Sequence, residues 1–276
     1  MSTEIKEMEA LNQAQANYYN NKKESKNLAT NIWWFMREKV MGKFRKEYNI
    51  NKDVIELHKN WLGDLSEKRV LDLGCFAGNL LSFYLAGNSK EYVAIDLSDK
   101  GIQMYKNRLE KQNLLNPNVK VYTCDFLSDN FKEEKFDVIY IFSAMHHFKY
   151  FEEFLLRLKS FLKDDGCIIT YDPAETYLPM YLIRRIYRPF QSDSAWEWPF
   201  SRQTYKIILK HFTAEEIQGY LGFSKWSFLF LWIPSRKLKD KLVMKLHQYD
   251  LRNAKKFNGD LYRCLHVSFK LKINPK

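Results

Sequence analysis

The chain has 276 residues, of which 46% are apolar, and this is enough to build one large domain with a sizeable core. The N-terminus lacks an apolar signal region, and the longest apolar run, residues 226–233, is too short to span a bilayer as a helix, so we expect a cytoplasmic protein. The four cysteines are scattered without a C-x-x-C pair, which argues against a disulfide framework and against a metal site.

The net charge of +11 is concentrated in the last third of the chain. Residues 180–276 hold 19 Lys and Arg against 7 Asp and Glu, whereas the rest of the chain has a balance of −1. Such asymmetry indicates an anionic partner, which is a membrane surface, a phosphorylated acceptor or a nucleic acid. The alternative is a solvated basic surface that only improves solubility.

Residues 1–64 are predicted to form helices ahead of the sheet. Apolar residues recur at helical spacing from Leu28 to Phe44, and Trp33 and Arg37 make this stretch both aromatic and basic. We interpret residues 1–64 as a helical lid over the ligands. The alternative is that the aromatic stripe packs into the core.

The next stretch is predicted to form a strand, a tight turn and a helix. An apolar run from Arg69 leads into Asp72, Gly74 and Gly78, and an apolar helix-like segment follows at residues 80–86. Gly74 allows a backbone conformation that a Cβ forbids, and Gly78 allows a close approach of helix and strand. The free N–H groups of the new helix favour a nucleotide at this turn.

Two further strands end in acidic residues. The strand at residues 91–96 ends in Asp96, which lies 22 residues after Gly74, where a carboxylate holds a ribose diol. The strand at residues 119–124 leads into Asp125 and Phe126. We expect Asp125 to accept from the adenine amine and the ring of Phe126 to lie against the base.

A continuous apolar run at residues 135–142 is typical of a central parallel strand. With it, four motifs stand in order along the chain, and they read VLDLGCFAGN, YVAIDLS, CDF and FDVIYIFSAMHHF. Together they resemble the motif set of class I S-adenosylmethionine (SAM)-dependent methyltransferases over about residues 65–175. The resemblance implies an α/β fold with a seven-stranded, mostly parallel Rossmann-like sheet and helices on both faces.

The resemblance also implies a set of SAM contacts. It places Asp72 and Gly74 at the aminoacyl end, Asp96 at the ribose, and Asp125 with Phe126 at the adenine. A Tyr and an Arg before the first strand often reach the SAM carboxylate in related enzymes, which makes Tyr18 or Tyr19 and Arg37 the candidates here. The remaining residues that the resemblance assigns to the cofactor site are Gly78, Leu97, Ser143, Tyr19 and Arg37.

One position departs from the family pattern, because Phe76 stands where a middle glycine is usual. We expect this side chain to narrow the turn or to reshape the methionine pocket. The rival ligand for such a turn is a dinucleotide, whose fingerprint is G-x-G-x-x-G. Asp72, two positions before the first glycine, would repel a pyrophosphate and attract an ammonium group, which favours SAM.

His146 and His147 follow the fourth strand, beside the position of the sulfonium methyl group in this fold. An attacking atom that carries a proton needs a base, and a neutral imidazole can accept that proton at physiological pH. We predict His147 as the residue at the acceptor and His146 as the second candidate. The alternative is that both only orient the loop.

The rest of the chain continues the alternation of helix and strand. We predict a helix at 151–163, a strand at 167–172, a strand or a helix at 213–220, a helix at 235–256 and a last strand at 261–271. Asp172, at the end of the fifth strand, is expected either to line the acceptor pocket or to cap the segment that follows.

Residues 65–175 are thus expected to form the SAM-binding core and residues 176–276 an acceptor-binding elaboration. Clustered aromatic and basic residues there fit an anionic, inner membrane surface and a small-molecule, lipid-linked or glycan acceptor. The predicted activity is methyl transfer to an oxygen atom. The alternatives are an RNA or protein methyltransferase that uses the basic face, or a SAM-binding scaffold without turnover. The oligomeric state is not predicted.

Overall fold

The computed structural model describes residues 3–21, 31, 35, 50–191 and 194–274. The α-helices are α1 (Thr3–Asn21), α2 (Ile50–Leu62), α3 (Leu80–Asn88), α4 (Asp99–Lys111), α5 (Phe151–Phe161), α6 (Leu178–Tyr187), α7 (Arg202–His211), α8 (Arg236–Asn253) and α9 (Gly259–Tyr262). The strands are β1 (Arg69–Leu73), β2 (Glu91–Asp96), β3 (Val119–Thr123), β4 (Phe136–Phe142), β5 (Leu162–Pro173), β6 (Phe212–Tyr220) and β7 (His266–Ile273).

The strands form one seven-stranded sheet in the order β3-β2-β1-β4-β5-β7-β6. Strands β1 to β5 pair in parallel, and β7 runs antiparallel to both of its neighbours. Strand β6 therefore points the same way as β1 to β5, and six strands share one carboxyl edge. The sheet is the predicted mostly parallel α/β sheet, and the order reverses between β1 and β4, where such sheets bind ligands.

Helices cover both faces of the sheet, and the alternation of side chains along each strand explains this. On one face, Leu71 and Val93 join a buried cluster with α5 and α7. On the other face, Val70 and Tyr92 join a second cluster with α2, α3 and α4. Because every central strand is buried on both sides, its residues read as a continuous apolar run.

Polar side chains fix the helices that begin at the carboxyl edge. Asn79 accepts from the N–H groups of Leu81 and Ser82, and Ser82 in turn accepts from Asn79, which closes a capping box at the start of α3. Ser98 caps α4 by accepting from Gly101. Both N-termini are thereby held next to the ends of β1 and β2.

Several element bounds differ from the sequence prediction, and one alternative that it left open is resolved. Strand β5 begins at Leu162 and not at residue 167, because Leu162 already pairs with Phe136 of β4, ahead of a register shift that lies before Cys167. The last strand begins at His266 instead of Leu261, which lies in the short helix α9. The segment at 213–220 is a strand, because it pairs with β7. The predicted stripe between Leu28 and Phe44 lies outside the described residues, apart from positions 31 and 35.

Candidate functional site

A cavity of about 670 Å³ lies at the carboxyl edge of the sheet, next to the ends of β1, β2, β3 and β4. Its volume is in the range of small-molecule and cofactor sites. It is bordered by residues of α1 (Asn12, Gln15, Tyr19), of the turn after β1 (Leu73, Gly74, Cys75, Phe76, Ala77, Gly78, Asn79), of β2 and α4 (Asp96, Leu97, Lys100, Met104), of the segment after β3 (Cys124, Asp125, Phe126) and of the segment after β4 (Phe142, Ser143, Ala144, His147, Phe148).

The turn after β1 has the backbone conformation that its glycines allow. Gly74 has φ of 74° and Gly78 has φ of 70°, both in the left-handed region. A Cβ on Gly74 would lie 2.5 Å from the Cβ of Ala144, and a Cβ on Gly78 would lie 2.2 Å from the ring of Tyr105. Both glycines are therefore required by conformation and by space, and both border the cavity.

Phe76 adopts the left-handed conformation of the glycine that it replaces, with φ of 43°. For a residue with a Cβ this conformation costs about 1–2 kcal/mol. Its ring packs over Gly101 at the start of α4, where a Cβ would lie 2.5 Å from a ring carbon. Phe76 borders the cavity without closing it. The Phe76 ring therefore fits at this turn because Gly101 of α4 has no Cβ.

Asp96 borders the cavity at the end of β2. Its two carboxylate oxygens accept from the backbone N–H groups of Phe76 at 2.9 Å and of Ser98 at 2.8 Å. Burial raises the pKa of Asp96, and these N–H groups act in the opposite direction. A carboxylate has about four lone-pair sites, so two remain for the hydroxyls of a diol. Leu97 lies beside it on the same wall.

Asp125 borders the cavity after β3 and is held from two sides. It accepts from the Asn12 side chain of α1 at 2.8 Å and from the N–H of Leu127 at 2.8 Å. Phe126 also borders the cavity, but its side chain is 2% exposed and its ring packs against other aromatic rings. The expected stacking of the Phe126 ring on a base does not match this buried position.

Asp72 does not border the cavity, in contrast to the predicted contact with the aminoacyl end of SAM. It shares a strand face with Val70 and is therefore turned toward α3 and α4, where it is 1% exposed. The Tyr92 hydroxyl donates to it at 2.7 Å. Burial raises the pKa of Asp72 to about 6, and hydrogen bonds from Ser82 and Tyr92 oppose the shift. Asp72 therefore bonds to Tyr92 in the protein interior and does not reach the cavity.

Helix α1 forms a wall of the cavity through Asn12, Gln15 and Tyr19. In addition to its Asn12–Asp125 bond, it bonds to α4, because the Ser98 hydroxyl donates to the Asn20 side chain at 2.8 Å. Tyr19 borders the cavity, and its contact with the cofactor stays a prediction. Arg37, the other residue predicted from this segment, lies outside the described residues.

The segment after β4 brings one imidazole to the cavity. Ser143 has φ of 58° and donates its N–H to the Tyr171 carbonyl at 2.6 Å, which turns the chain at the end of the strand. His147 follows in a short 3₁₀ helix and borders the cavity. Its Nδ1 lies 2.6 Å from the Trp196 carbonyl oxygen, which can only accept, so Nδ1 carries the proton. The Tyr19 ring meets the imidazole edge to face at 5.8 Å.

His146 lies behind the cavity wall, so the structure does not support its prediction as a catalytic candidate. It is 4% exposed, and its Nδ1 lies 2.8 Å from Asp172. The same carboxylate accepts from the His146 backbone N–H at 3.2 Å. Burial holds the pKa of Asp172 well above its usual value. Asp172 does not border the cavity; instead, it anchors the 3₁₀ turn that carries His147.

Several residues at this site were missed in the sequence prediction, and two of the missed residues are hydrogen-bond partners of predicted ones. Asn12 belongs to a helix without a motif, and Trp196 contributes only a carbonyl oxygen from a segment 49 residues beyond His147. Neither has a local signal. Within residues 3–21, 31, 35, 50–191 and 194–274, no group of three His, Cys, Asp or Glu side chains is arranged to hold a metal ion.

The chain is similar to known methyltransferases. Residues 64–214 match the family model described as "Methyltransferase domain". A solved geranyl diphosphate C-methyltransferase from Streptomyces coelicolor A3(2), bound to Mg²⁺, geranyl diphosphate and S-adenosyl-L-homocysteine, has a TM-score of 0.58 and 11% identity. The comparison covers 95% of this chain and 98% of that one.

A second solved neighbour is coclaurine N-methyltransferase with N-methylheliamine and S-adenosyl-L-homocysteine, at a TM-score of 0.53 and 16% identity over 80% of this chain and 72% of that one. An uncharacterized curated protein of Haemophilus influenzae is 29% identical over 110 residues, or 39% of this chain. The chain spans 43% of the length of that relative.

The chain thus has a methyltransferase-domain match over more than half of its length and shares its fold with solved methyltransferases that hold S-adenosyl-L-homocysteine, the product form of SAM. The chain belongs to the methyltransferase-domain family. Its residues fit this cofactor, because Asp96 retains acceptor sites for a ribose diol and Asp125 is held at the next strand end. The neighbours transfer methyl groups to carbon and to nitrogen, so the fold alone does not determine the acceptor atom.

Proposed function

We propose that the protein transfers the methyl group of SAM to an oxygen atom of a hydroxyl-bearing acceptor, with His147 as the general base. The acceptor is a small molecule or the hydroxyl group of a lipid-linked or sugar-linked molecule. The observation that carries this proposal is the hydrogen bond from His147 Nδ1 to the Trp196 carbonyl oxygen. It assigns the lone pair of a neutral imidazole to Nε2 on a residue that borders the cavity.

The proposed chemistry needs little from the protein beyond position and a base. SAM supplies a methyl group that is already activated by a positively charged sulfur. The hydroxyl oxygen attacks the methyl carbon, the bond from carbon to sulfur breaks, and His147 takes the hydroxyl proton. Asp96 and Asp125 would hold the nucleoside part of the cofactor, and α1 would exclude water from the cavity. A carbon or nitrogen acceptor without a removable proton would not need this base.

The test combines a variant with an isotope. SAM carrying a ¹³C-labelled methyl group is incubated with the protein and a panel of hydroxyl-bearing small molecules and extracted lipids. The chemical shift of the transferred carbon separates methoxy from N-methyl and C-methyl products. His147→Ala is expected to lower kcat by roughly 10²–10⁴-fold, which is the usual contribution of general base catalysis, with SAM affinity unchanged.

His211→Ala is the matched control, because His211 pairs with Glu152 at 3.0 Å and does not border the cavity. Its activity should equal that of the unaltered protein. The rate of the unaltered protein should fall at acidic pH, where a protonated imidazole cannot accept a proton. Full activity of His147→Ala, or a product labelled on carbon or nitrogen, would reject the proposal.

A further inference from the structure

The C-terminal third exposes large apolar side chains on α6. Leu178 is 65% exposed, Leu182 is 52% exposed and Ile186 is 74% exposed. Their spacing of four residues places them on one face of the helix. Arg185 is exposed on the same helix. An apolar stripe with a neighbouring cation is the pattern of a helix that lies on a membrane surface.

A second exposed apolar group lies in the 3₁₀ segment Ser224–Trp232. Leu229 is 58% exposed, Leu231 is 39% exposed and Trp232 is 90% exposed. A tryptophan ring that is almost entirely in solvent gains the favourable free energy of burial only when it contacts another surface. Exposed side chains of this size in one short segment mark an interaction site.

The two apolar groups emerge from the same edge of the sheet. Helix α6 follows the carboxyl end of β5, and the 3₁₀ segment follows the carboxyl end of β6, which points the same way. The segments that carry them contact each other near their starts, since the Lys225 ammonium lies 4.5 Å from the centroid of the Tyr177 ring, directly before α6. This is the edge that carries the cavity.

One buried carboxylate anchors the start of the 3₁₀ segment. Asp250 of α8 is 2% exposed and accepts from the backbone N–H groups of Gly222 at 3.0 Å, Phe223 at 2.7 Å and Ser224 at 2.9 Å. The Ser224 hydroxyl donates to it as well, at 2.6 Å. The exposed tip at 229–232 therefore projects from a fixed base on α8.

Helix α8 adds a positively charged face beside this tip. Lys237, Lys241, Lys245 and Arg252 are exposed and recur at spacings that place them on one side of the helix. The two acidic residues of α8 do not offset them, because Asp240 lies 3.8 Å from Arg236 and Asp250 is buried. Among the residues that the structure describes, no helix is long and apolar enough to cross a membrane.

We propose that the stripe on α6, the tip at 229–232 and the cationic face of α8 form one docking surface for an anionic phospholipid bilayer. The cations match the negative lipid headgroups, and the apolar side chains enter the interface between headgroups and acyl chains. RNA fits less well, because six of the seven exposed large apolar side chains that the structure describes on α6 and the tip are leucine or isoleucine, which have no ring on which a base can stack. Docking places the edge that carries the cavity next to the bilayer.

The test is sedimentation of the full chain with vesicles of phosphatidylcholine and phosphatidylserine in equal parts, against vesicles of phosphatidylcholine alone. Binding is expected only to the anionic vesicles and should weaken as salt is raised. Lys237→Gln, Lys241→Gln and Lys245→Gln combined should lower the partition coefficient about a hundredfold, since each cation contributes about a factor of five. Leu229→Ser with Trp232→Ser should lower it roughly tenfold or more, because apolar burial is lost.

Matched controls lie at the opposite edge of the sheet, before β3 and β4. Lys132→Gln with Lys135→Gln removes exposed charges, and Leu115→Ser removes a leucine that is 42% exposed. These variants should bind vesicles as the unaltered protein does, and all variants should keep its melting temperature and SAM affinity.

The proposal is overturned by the absence of vesicle binding at low salt or by equal binding of the tip variant. A dimer in solution that the tip variant disrupts, without vesicle binding, would assign the surface to a second copy of this chain. Preferential binding of bulk single-stranded RNA over anionic vesicles would assign the surface to nucleic acid instead. The outcome is independent of methyl transfer, because it measures only partition.

Discussion

The two halves of the cavity edge are built from contacts of different range. After β2 and β3, Asp96 and Asp125 accept from backbone N–H groups two residues further on. After β4, His147 is fixed by a carbonyl 49 residues away, and the turn that carries it is anchored by a carboxylate 26 residues away. In the cofactor half, around Asp96 and Asp125, each carboxylate has a local N–H donor besides its longer contact with Phe76 or Asn12. In the acceptor half, around His147, the imidazoles of His146 and His147 bond to distant residues. Mutations should therefore separate cofactor affinity from rate.

The largest effect is expected from Asp96→Ala in the cofactor half. The change removes the carboxylate predicted to hold the ribose and the acceptor for the N–H groups of Phe76 and Ser98. Two charge-assisted hydrogen bonds contribute about 1.5–3 kcal/mol each, so SAM affinity should fall about a thousandfold or more in a calorimetric titration. Asp99→Asn, an exposed neighbour on α4, should bind normally. Unchanged affinity of Asp96→Ala would place the cofactor elsewhere.

Asp72→Asn tests whether a carboxylate outside the cavity affects the stability of the fold without affecting SAM affinity. The folded-state pKa of Asp72, about 6, lies above its ordinary value of 3.8, so its contribution to stability is fully present below about pH 4 and is lost as the pH rises through 6. As the pH rises from about 4 to about 7, the unfolding free energy of the unaltered protein should fall by about 3 kcal/mol relative to that of Asp72→Asn.

Urea denaturation of both proteins at pH 4, 5, 6 and 7 measures this difference. SAM affinity of Asp72→Asn should remain within about threefold, because the residue does not border the cavity. Parallel stability curves for the two proteins would show that the carboxylate is not the group that titrates. A large loss of SAM affinity would restore the original prediction for Asp72.

Asp172→Ala should affect rate without affecting cofactor affinity. Without the carboxylate, the backbone N–H and the ring of His146 lose their acceptor, and the turn that carries His147 loosens. A loss of position of this kind should lower kcat about tenfold to a hundredfold, with an unchanged dissociation constant for SAM. Asp172→Asn should recover part of the rate, since an amide oxygen can still accept. A decrease in SAM affinity equal to the decrease in rate would contradict the separation of the two halves.

The smallest effect is expected from the contact between Phe76 and Gly101. Gly101→Ala puts a Cβ 2.5 Å from the Phe76 ring and should destabilise the fold by about 1–2 kcal/mol. In a Phe76→Gly background the same change should cost nothing or stabilise α4, because the ring is gone and alanine favours a helix. Thermal unfolding of the four proteins gives the coupling between the two sites. An equal cost of Gly101→Ala in both backgrounds would rule out the contact.

Most of the sheet could be predicted from sequence, because its signals are local. Strands β1, β2 and β4 are apolar runs that are buried on both faces, and β1 ends in glycines that its turn requires. The placement of Asp96 and Asp125 at the cavity follows from the same rule, since the carboxyl ends of parallel strands share one edge.

Other positions depend on information that the sequence pattern does not contain. Asp72 was assigned to the ligand from its place in a motif, but strand alternation turns it away from the cavity, toward Tyr92. The two adjacent histidines are alike in sequence, and only the distant Asp172 and Trp196 distinguish the buried one from the one at the cavity. The start of β7 was missed because the apolar alternation begins in α9.

Helix α1 completes the cavity with residues that carry no family motif, and its Asn12 and Asn20 bond to the loops after β3 and β2. Detachment of α1 would break both bonds and widen this side of the cavity. A molecule that binds or restrains α1 would therefore change the shape of the cavity without contacting any residue after β4.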